Sequence, residues 1–318
     1  MSLGSRKVGI VGAGFVGATA AYSLAMLGTC HEVVLYDINT DLAVGKAMDI
    51  GQSTVYSPQG TVVTAAEDPS GLSGCDIIVI TAGVPRKSDM TRADLLMINA
   101  KIIKDVVSNI KKYSPNAIIL CVSNPLDVMS YVIHKMTKWD RNRIIGMAGA
   151  LDGARMSYQI NQCVGYGAGQ TRSIIIGDHG ENMIPMPEIS AVGGVPLNQI
   201  ISKEDMIGII KRTKDGGAQI VKRLGTSAYY APGRAIAVMV EAILDDSKIV
   251  MPSSVLLNGE YGYSDVSVGV PIVLGKNGVE KIIELDLDEE TKEKFKISVE
   301  SIKDGIEILS NEGFFIDN

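Results

Sequence analysis

Several features that would place a protein in a specialised class are missing from this sequence. Only four cysteines and three histidines occur in 318 residues, and no Cys-x-x-Cys is present. Widely spaced cysteines are typical of reduced, mostly buried thiols, so we expect neither a disulfide framework nor a metal site. No apolar run approaches the roughly 18 residues of a membrane span, and no signal-peptide pattern is found. These absences together favour a cytoplasmic protein.

An excess of positive charge is absent as well. The chain has 30 basic and 36 acidic residues, and the net charge of −6 provides no electrostatic footprint for nucleic acid or an acidic membrane. The apolar fraction of 46% is enough for a real core, and the composition excludes disorder, collagen and coiled coil. A chain of this length makes one large domain or two ordinary ones.

The first half of the chain alternates short β-branched runs with longer amphipathic segments. The predicted strands are apolar throughout, which indicates that both of their faces are buried. This rhythm predicts an α/β fold with a doubly wound parallel sheet between layers of helices. The four clearest strands lie at residues 8–11, 33–36, 77–80 and 118–122.

The rhythm changes near residue 145. Helical patterns cover 151–164, 203–216, 226–244 and 289–309, and strand-like runs at 249–256, 266–274 and 281–285 predict an antiparallel meander. We therefore expect two closely packed lobes, an α/β lobe at 6–146 and an α+β lobe at 147–318.

A glycine-rich turn follows the first predicted strand and opens a helix. Asp37 ends the second strand, 20 residues after the last glycine, which is the context that a dinucleotide-binding motif requires. The glycines allow a tight turn, and the helix N-terminus offers free N–H groups to a pyrophosphate. Because the Asp37 carboxylate would bind ribose hydroxyls and repel a 2′-phosphate, NAD is favoured over NADP. The motif consists of Gly12, Ala13, Gly14, Phe15, Val16 and Gly17.

One further pattern points elsewhere. Tyr131 and Lys135 match the Y-x-x-x-K pair of short-chain dehydrogenases, but Ile118 stands where that family has a serine. We interpret the pair as ordinary neighbours at i and i+4 on a helix.

Four more segments appear in a recognisable order. They are Thr81-Ala82-Gly83-Val84-Pro85-Arg86 with Thr91-Arg92, Val122-Ser123-Asn124-Pro125-Leu126-Asp127, Leu151-Asp152-Gly153-Ala154-Arg155, and Ile176-Gly177-Asp178-His179-Gly180. With the glycine turn, they resemble the lactate/malate dehydrogenase superfamily, in particular its lactate-dehydrogenase-like malate dehydrogenase branch. The resemblance extends over nearly the whole chain and implies a Rossmann fold joined to a C-terminal α+β lobe.

The resemblance implies that His179 donates and accepts the proton of the reaction. A histidine titrates near the working pH, so it can serve both directions of a redox reaction. Asp152 would hold the other ring nitrogen of His179 and stabilise the imidazolium.

The resemblance also assigns the substrate contacts. Arg155, at i+3 from Asp152, would bind the C1 carboxylate, and Arg92 would polarise the reacting carbonyl. Residues 84–91 resemble a mobile lid whose closure would bring Arg86 onto a second carboxylate. Arginine at position 86 favours malate over lactate, because a methyl substrate needs no cation. Asn124 would contact both substrate and cofactor, and the other implied cofactor contacts are Asn99, Val122 and Ser123.

Some positions depart from the usual malate pattern. Asp89 adds negative charge to the lid, and Arg234 stands where small residues are usual, either as an extra charge near the site or as a packing variant. The expected reaction is reversible hydride transfer between NADH and the C2 carbonyl of oxaloacetate. Lactate or another 2-hydroxy acid is the alternative substrate, and a catalytically silent NAD-binding protein is the alternative from another class. The resemblance favours a homotetramer, with a dimer next.

Overall fold

The structure is a computed structural model that describes residues 6–58, 60–85 and 90–316. Arg86 and Asp89 lie outside the described residues, and so does half of the lid predicted at residues 84–91. Within the described ranges, no helix is both long and apolar enough to cross a membrane.

The first part of the chain alternates strands and helices, as the sequence pattern predicts. Every residue of these strands is buried or half-buried except Val62, which begins β3. The elements are β1 (Lys7–Val11), α1 (Phe15–Leu27), β2 (Glu32–Tyr36), α2 (Thr40–Thr54), β3 (Val62–Ala65), β4 (Ile77–Ile80), α3 (Arg92–Tyr113), β5 (Ile118–Cys121), α4 (Leu126–Thr137) and β6 (Ile144–Gly146).

These six strands pair in parallel in the order β3-β2-β1-β4-β5-β6. This is the strand order of the Rossmann fold, and it confirms the predicted fold class. From β1 the chain adds β2 and β3 on one side, and then crosses over to add β4, β5 and β6 on the other side of β1. Ligands of such sheets bind beyond the carboxyl ends of the strands at this switch point. The glycine turn follows β1, and Thr81 follows β4 there.

The second part contains helices, short paired strands and three long strands. The elements are α5 (Gly149–Val164), β7 (Thr171–Arg172), β8 (Ile175–Ile176), β9 (Ile184–Pro185), β10 (Ala191–Val192), β11 (Val195–Pro196), α6 (Lys203–Leu224), α7 (Tyr230–Leu244), β12 (Ile249–Asn258), β13 (Ser264–Gly275), β14 (Gly278–Ile282) and α8 (Glu289–Asn311).

The predicted antiparallel meander is present as β12, β13 and β14. It is not a separate sheet, because β12 pairs antiparallel with β6 at Ser254 and Gly146. In the described part of the chain, nine strands therefore form one continuous sheet that passes from the first half into the second. Gly146 permits this junction, since a Cβ there would lie only 2.7 Å from Ser130 Oγ and 2.8 Å from Ser254 Cβ.

Two helix boundaries differ from the sequence prediction. Helix α6 does not end at Gly216 but continues through Gly217 to Leu224. Glycine costs a helix about 1 kcal/mol, and the packing of α6 on α5 overrides that preference. Helix α7 begins at Tyr230 rather than at residue 226, with Pro232 in its first turn, where a missing N–H is tolerated.

Candidate active site

Two of the three glycines in the turn after β1 are required sterically, and the third leaves the backbone open. Gly12 has φ +107°, and a Cβ there would lie 2.7 Å from Thr81 Oγ1. A Cβ on Gly17 would lie 1.9 Å from the Gly12 carbonyl oxygen, so only glycine lets α1 start so close to the turn. Gly14 has open space on its Cβ side, with no atom within 4 Å. The exposed backbone at Gly14 is therefore accessible to a ligand.

The N-terminus of α1 fits an anionic group. Its N-cap residue is Gly14, no side chain caps it, and its first turn contains no acidic residue. The first N–H groups of the helix are consequently left for a ligand, and the helix dipole adds partial positive charge. Asp37 lies beside this turn: its Oδ2 accepts a hydrogen bond from the Ala13 N–H at 2.7 Å. These residues fit the pyrophosphate and ribose of a dinucleotide.

The two other members of the motif contribute to the surface beside the turn. Val16 is half-buried and packs on the main core, while 60% of the Phe15 surface is exposed. The Phe15 ring stacks on Tyr229, with ring centroids 5.1 Å apart. Helix α7 packs closely on α1 here. Glycine at position 233 permits this approach, since a Cβ there would lie 2.6 Å from Thr19 Cγ2.

The loops after β4 and β5 are tied together by buried polar groups. The Ser123 hydroxyl donates to the Ala82 carbonyl at 2.5 Å, and the Val122 N–H donates to Ile80 at 2.9 Å. Asn99 is 1% exposed: its Oδ1 accepts from the Val84 N–H, and its Nδ2 donates to the carbonyls of Val84 and Asn124. Every polar group of the Asn99 amide is thus engaged by backbone.

His179, Asp152 and Arg155 form the chemical centre of the site. The Nδ1 atom of His179 lies 2.7 Å from Asp152 Oδ2, and Arg155 Nη1 donates to Asp152 Oδ1 at 2.9 Å. Asp152 is 1% exposed, while both of its partners keep part of their surface accessible. Asp152 and Arg155 project from the same face of α5, as their i, i+3 spacing predicts. Because Nδ1 of His179 is bound to Asp152, Nε2 is the ring nitrogen that can exchange a proton with a substrate.

The segment carrying His179 is held against the sheet and the last helix. Gly177 and Gly269 exchange backbone hydrogen bonds of 2.9 and 3.0 Å. A Cβ on Gly269 would lie 2.6 Å from the Gly177 carbonyl oxygen, so glycine permits this approach. Buried Ser298 of α8 accepts from the Asp178 N–H at 3.1 Å and donates to Asn182 at 2.7 Å. Neither Gly269 nor Ser298 carries a local sequence signal that predicts this role.

Asp127 was not assigned a role by its sequence pattern, although it lies in the segment that contains Asn124. Its Oδ2 accepts a hydrogen bond from the His179 backbone N–H at 2.7 Å, and the side chain is buried. Burial raises the pKa of Asp127 to about 6, although the hydrogen bond from the His179 N–H acts to lower that pKa. Its position three residues after Asn124, in the same segment, was the only signal that could have identified it.

The pKa of His179 reflects a balance of burial and charge. Burial alone would lower it, but the charge and hydrogen bond of Asp152, together with the charge of Asp127, outweigh burial and the repulsion of Arg155. The result is a pKa raised above the ordinary value of 6.5. A histidine in this environment can hold a proton near neutral pH, donate it to substrate in one direction of the reaction and take it back in the other.

The arginines predicted to contact substrate are only partly brought together. The Arg155 side chain packs against Gly216 and Gly217 of α6, and a Cβ on Gly217 would be 3.5 Å from Arg155 Nη2. Arg92 begins α3, is exposed, and donates to the Ser301 carbonyl of α8 at 3.2 Å rather than to the His179 cluster. Arg86 lies outside the described residues. Asn124 is exposed at the end of β5, and its carbonyl oxygen binds Asn99.

Three further sequence features have structural outcomes. The buried Tyr131 and the partly exposed Lys135, both on α4, each donate a hydrogen bond of 3.1 Å to Asp265 of β13. Arg234 is exposed, and its nearest acidic partner is Glu241 at 3.9 Å. Within the described ranges, no three His, Cys, Asp or Glu side chains lie together in a way that could hold a metal ion.

Comparisons with known proteins agree with this geometry. Residues 6–146 match the family described as lactate/malate dehydrogenase, NAD binding domain, and residues 149–312 match the lactate/malate dehydrogenase, alpha/beta C-terminal domain. The malate dehydrogenase of Sulfurimonas denitrificans is 53% identical over 311 residues, covering 98% of each chain. The chain belongs to the lactate/malate dehydrogenase family.

Solved structures place the chain within this family. Malate dehydrogenase from Salinibacter ruber has a TM-score of 0.91 and 40% identity, covering 96% of this chain and 99% of the other. Lactate dehydrogenase from Eimeria maxima, solved with NADH and oxamate, has a TM-score of 0.91 and 36% identity, covering 96% of this chain and 94% of the other. The predictions of an NAD-dependent oxidoreductase and of malate dehydrogenase are thereby confirmed.

Proposed function

We infer that this chain catalyses reversible oxidation of malate to oxaloacetate with NAD, through the residues at the carboxyl edge of its parallel sheet. One observation carries the assignment of roles: a buried carboxylate, Asp152, binds both the His179 imidazole and the Arg155 guanidinium. A proton carrier and a carboxylate binder are thus coupled to one anion. This is the pairing that a dehydrogenase of 2-hydroxy acids requires.

The cofactor would be held by the turn Gly12–Gly17, with its phosphates at the α1 N-terminus and a ribose at Asp37. Val122, Ser123 and Asn124, at the end of β5, would form the wall near the nicotinamide. Bound NADH supplies a hydride to C2 of oxaloacetate, and NAD accepts it in the reverse direction. Asn99, expected from the sequence to contact the cofactor, is buried with its amide bound to backbone, so it would instead support this wall through its hydrogen bonds to Val84 and Asn124.

His179 moves the proton. In oxaloacetate reduction its imidazolium donates from Nε2 to the carbonyl oxygen as C2 becomes an alcohol carbon. In malate oxidation the neutral ring takes the hydroxyl proton back. Asp152 binds Nδ1, which supports this tautomer and stabilises the imidazolium.

The substrate's charges would be met by arginines. Arg155 would bind the C1 carboxylate with its planar fork, since its Nε is buried without a hydrogen-bond partner among the described residues. Arg92 would leave the Ser301 carbonyl and polarise the C2 carbonyl, while Arg86 would bind the C4 carboxylate. Water exclusion on closure of residues 84–91 would strengthen these contacts.

The test is loss of NADH absorbance with oxaloacetate and then with pyruvate, at equal concentrations. We expect oxaloacetate to be reduced with at least about 30-fold higher kcat/KM, the lower end of the cost of an unpaired buried charge. A protein that prefers pyruvate would instead be a lactate dehydrogenase of the same fold. A protein that binds NADH but reduces neither acid would be a silent NAD-binding protein.

The proposal also includes the organisation of the chain. We propose an NAD-binding domain at 6–146, a catalytic domain at 147–318, and a cytoplasmic homotetramer, with a dimer as the alternative. The four free cysteines, three of them buried, support a reducing compartment. Sedimentation at micromolar concentration would distinguish dimer from tetramer.

A further inference from the structure

We propose that Asp127 is a positioning residue for His179, joining the Asn124 loop to the catalytic segment and placing a second carboxylate near the imidazole. The inference rests on the proposed function of His179 as the proton carrier. It concerns a buried group to which neither proton transfer nor substrate binding has so far been assigned.

The contact connects two distant parts of the chain. Asp127 lies in the first turn of α4, three residues after the exposed Asn124, and is only 5% exposed. Its Oδ2 receives the His179 backbone N–H at 2.7 Å across 52 residues of sequence. The position of His179 relative to the end of β5 is therefore set by this one hydrogen bond as well as by the Gly177–Gly269 pair.

Helix stabilisation alone does not account for Asp127. An acidic residue in the first turn of a helix stabilises the helix by about 0.3–1 kcal/mol through the helix dipole, and an exposed residue already provides this stabilisation. Asp41 in α2 is such an exposed residue. Burying a charge costs more than this, and a neutral asparagine or serine could accept one N–H without that cost. The charge of Asp127 therefore requires another reason.

The groups that face His179 provide that reason. Asp152 from α5 and Asp127 from α4 both favour the imidazolium, and Arg155 opposes it. Asp127 itself faces His179 and the carboxylate of Asp178. Burial raises its pKa to about 6, while the hydrogen bond that its Oδ2 accepts from the His179 N–H favours the anionic form. Asp152 orients the ring directly. Asp127 acts from the backbone side and stabilises the positive charge that His179 acquires when malate is oxidised.

Two consequences follow for the reaction. Removing only the charge should lower the proton affinity of His179, whereas removing the whole side chain should also release the backbone of the His179 segment. A displacement of about 1 Å at a reacting group can cost on the order of 100-fold in rate. Asp127→Asn should therefore keep most of the maximal rate and shift the pH profile. Asp127→Ala should also shift the pH profile and, because the backbone is released, should lower kcat by about 10-fold to 100-fold.

The experiment measures the His179 pKa directly, without substrate, by NMR titration of the imidazole C2 protons in NADH-free protein. The protein has three histidines, and the His179 signal is identified by its loss in His179→Asn. We expect a lower His179 pKa in Asp127→Asn. We also expect the alkaline limb of oxaloacetate reduction and the acid limb of malate oxidation to move to lower pH. Asp265→Asn is the matched control, because Asp265 also binds α4 side chains but leaves the His179 environment intact.

An unchanged His179 pKa in Asp127→Asn overturns the proposal, whatever happens to the rate. A lower pKa shared equally by Asp265→Asn overturns it too, since the effect would then be a general loosening of α4. Failure of Asp127→Ala to fold does not affect the test, because Asp127→Asn keeps the hydrogen-bond acceptor. Failure of the proposed function would appear differently, as absence of malate oxidation in the unmodified protein.

Discussion

The Nδ1 atom of His179 lies 2.7 Å from Oδ2 of the almost fully buried Asp152, whose second oxygen binds Arg155. One carboxylate thus sets the tautomer of the proton carrier and the direction of the guanidinium that would receive substrate. Because both partners depend on it, a change at Asp152 should affect the proton step and substrate binding together.

Asp152→Asn tests this dependence. The amide presents an N–H₂ group where a carboxylate accepts two hydrogen bonds, so we expect the wrong tautomer and a displaced Arg155. The turnover number should fall on the order of 10²–10⁴-fold, as for the aspartate of a catalytic triad, and KM for oxaloacetate should rise. Asp41→Asn, also in the first turn of a helix, is the control and should leave both constants near normal. A fall in kcat with unchanged KM would mean that Arg155 is held by other contacts.

The raised pKa of His179 predicts opposite pH limbs for the two directions. Reduction requires the imidazolium, so its kcat/KM should fall as pH rises through a pKa above 6.5. Oxidation requires the neutral ring, so its kcat/KM should fall as pH drops through the same value. His179→Asn should reduce turnover about 100-fold or more and remove both limbs, while NADH fluorescence titration still shows binding. Limbs that persist in His179→Asn would identify another proton carrier.

Cofactor choice should depend on Asp37. Its carboxylate beside the glycine turn would face the 2′-phosphate of NADP, and like charges brought together cost several kcal/mol. We expect NADH to be preferred over NADPH by roughly 30-fold or more in kcat/KM, equivalent to about 2 kcal/mol. Asp37→Ser should narrow this ratio. Equal efficiencies in the unmodified protein would contradict this role.

Substrate choice should depend on Arg86, which lies outside the described residues. If the lid brings its guanidinium to the C4 carboxylate, Arg86→Gln should lose most oxaloacetate activity and gain pyruvate activity, because Gln leaves no buried charge unpaired. The measurement is the ratio of kcat/KM for the two acids before and after the change. Arg92, which contacts Ser301 in this structure, should not change that ratio when replaced, since both acids have the C2 carbonyl. A ratio unaffected by Arg86→Gln would remove the malate-specific role.

The glycine turn should tolerate no side chain at Gly17. A Cβ at 1.9 Å from the Gly12 oxygen cannot fit without movement of the turn, so Gly17→Val should abolish NADH binding and lower the melting temperature. Gly45→Ala is the matched control, because Gly45 is exposed in α2 with open space around it. That change should stabilise the protein by about 0.5–1 kcal/mol and leave binding intact. NADH binding by Gly17→Val near the parent affinity would show that the turn can move.

Local patterns predicted those parts of the site that depend on neighbours in sequence. The glycine turn and the placement of Asp152 and Arg155 on one helix face follow from helix and strand periodicity, whereas the roles of this pair were implied by the family resemblance. The parallel order of β1 to β6 follows from apolar strands joined by helices. By contrast, α6 continues through Gly216 and Gly217, where propensity predicts a helix end, because packing against Arg155 and α5 outweighs it.

Sequence alone therefore predicted the cofactor turn, because that motif lies within two consecutive elements, and the resemblance to a known family supplied the candidate reacting groups. Only the tertiary structure brought His179 to Asp127 across 52 residues, paired Gly177 with Gly269, and set Ser298 of α8 against the catalytic segment. It also joined the antiparallel strands of the second half to the parallel sheet, through the pairing of Ser254 with Gly146. Such contacts depend on which surfaces meet once the sheet twists and the helices pack, and no local periodicity carries that information.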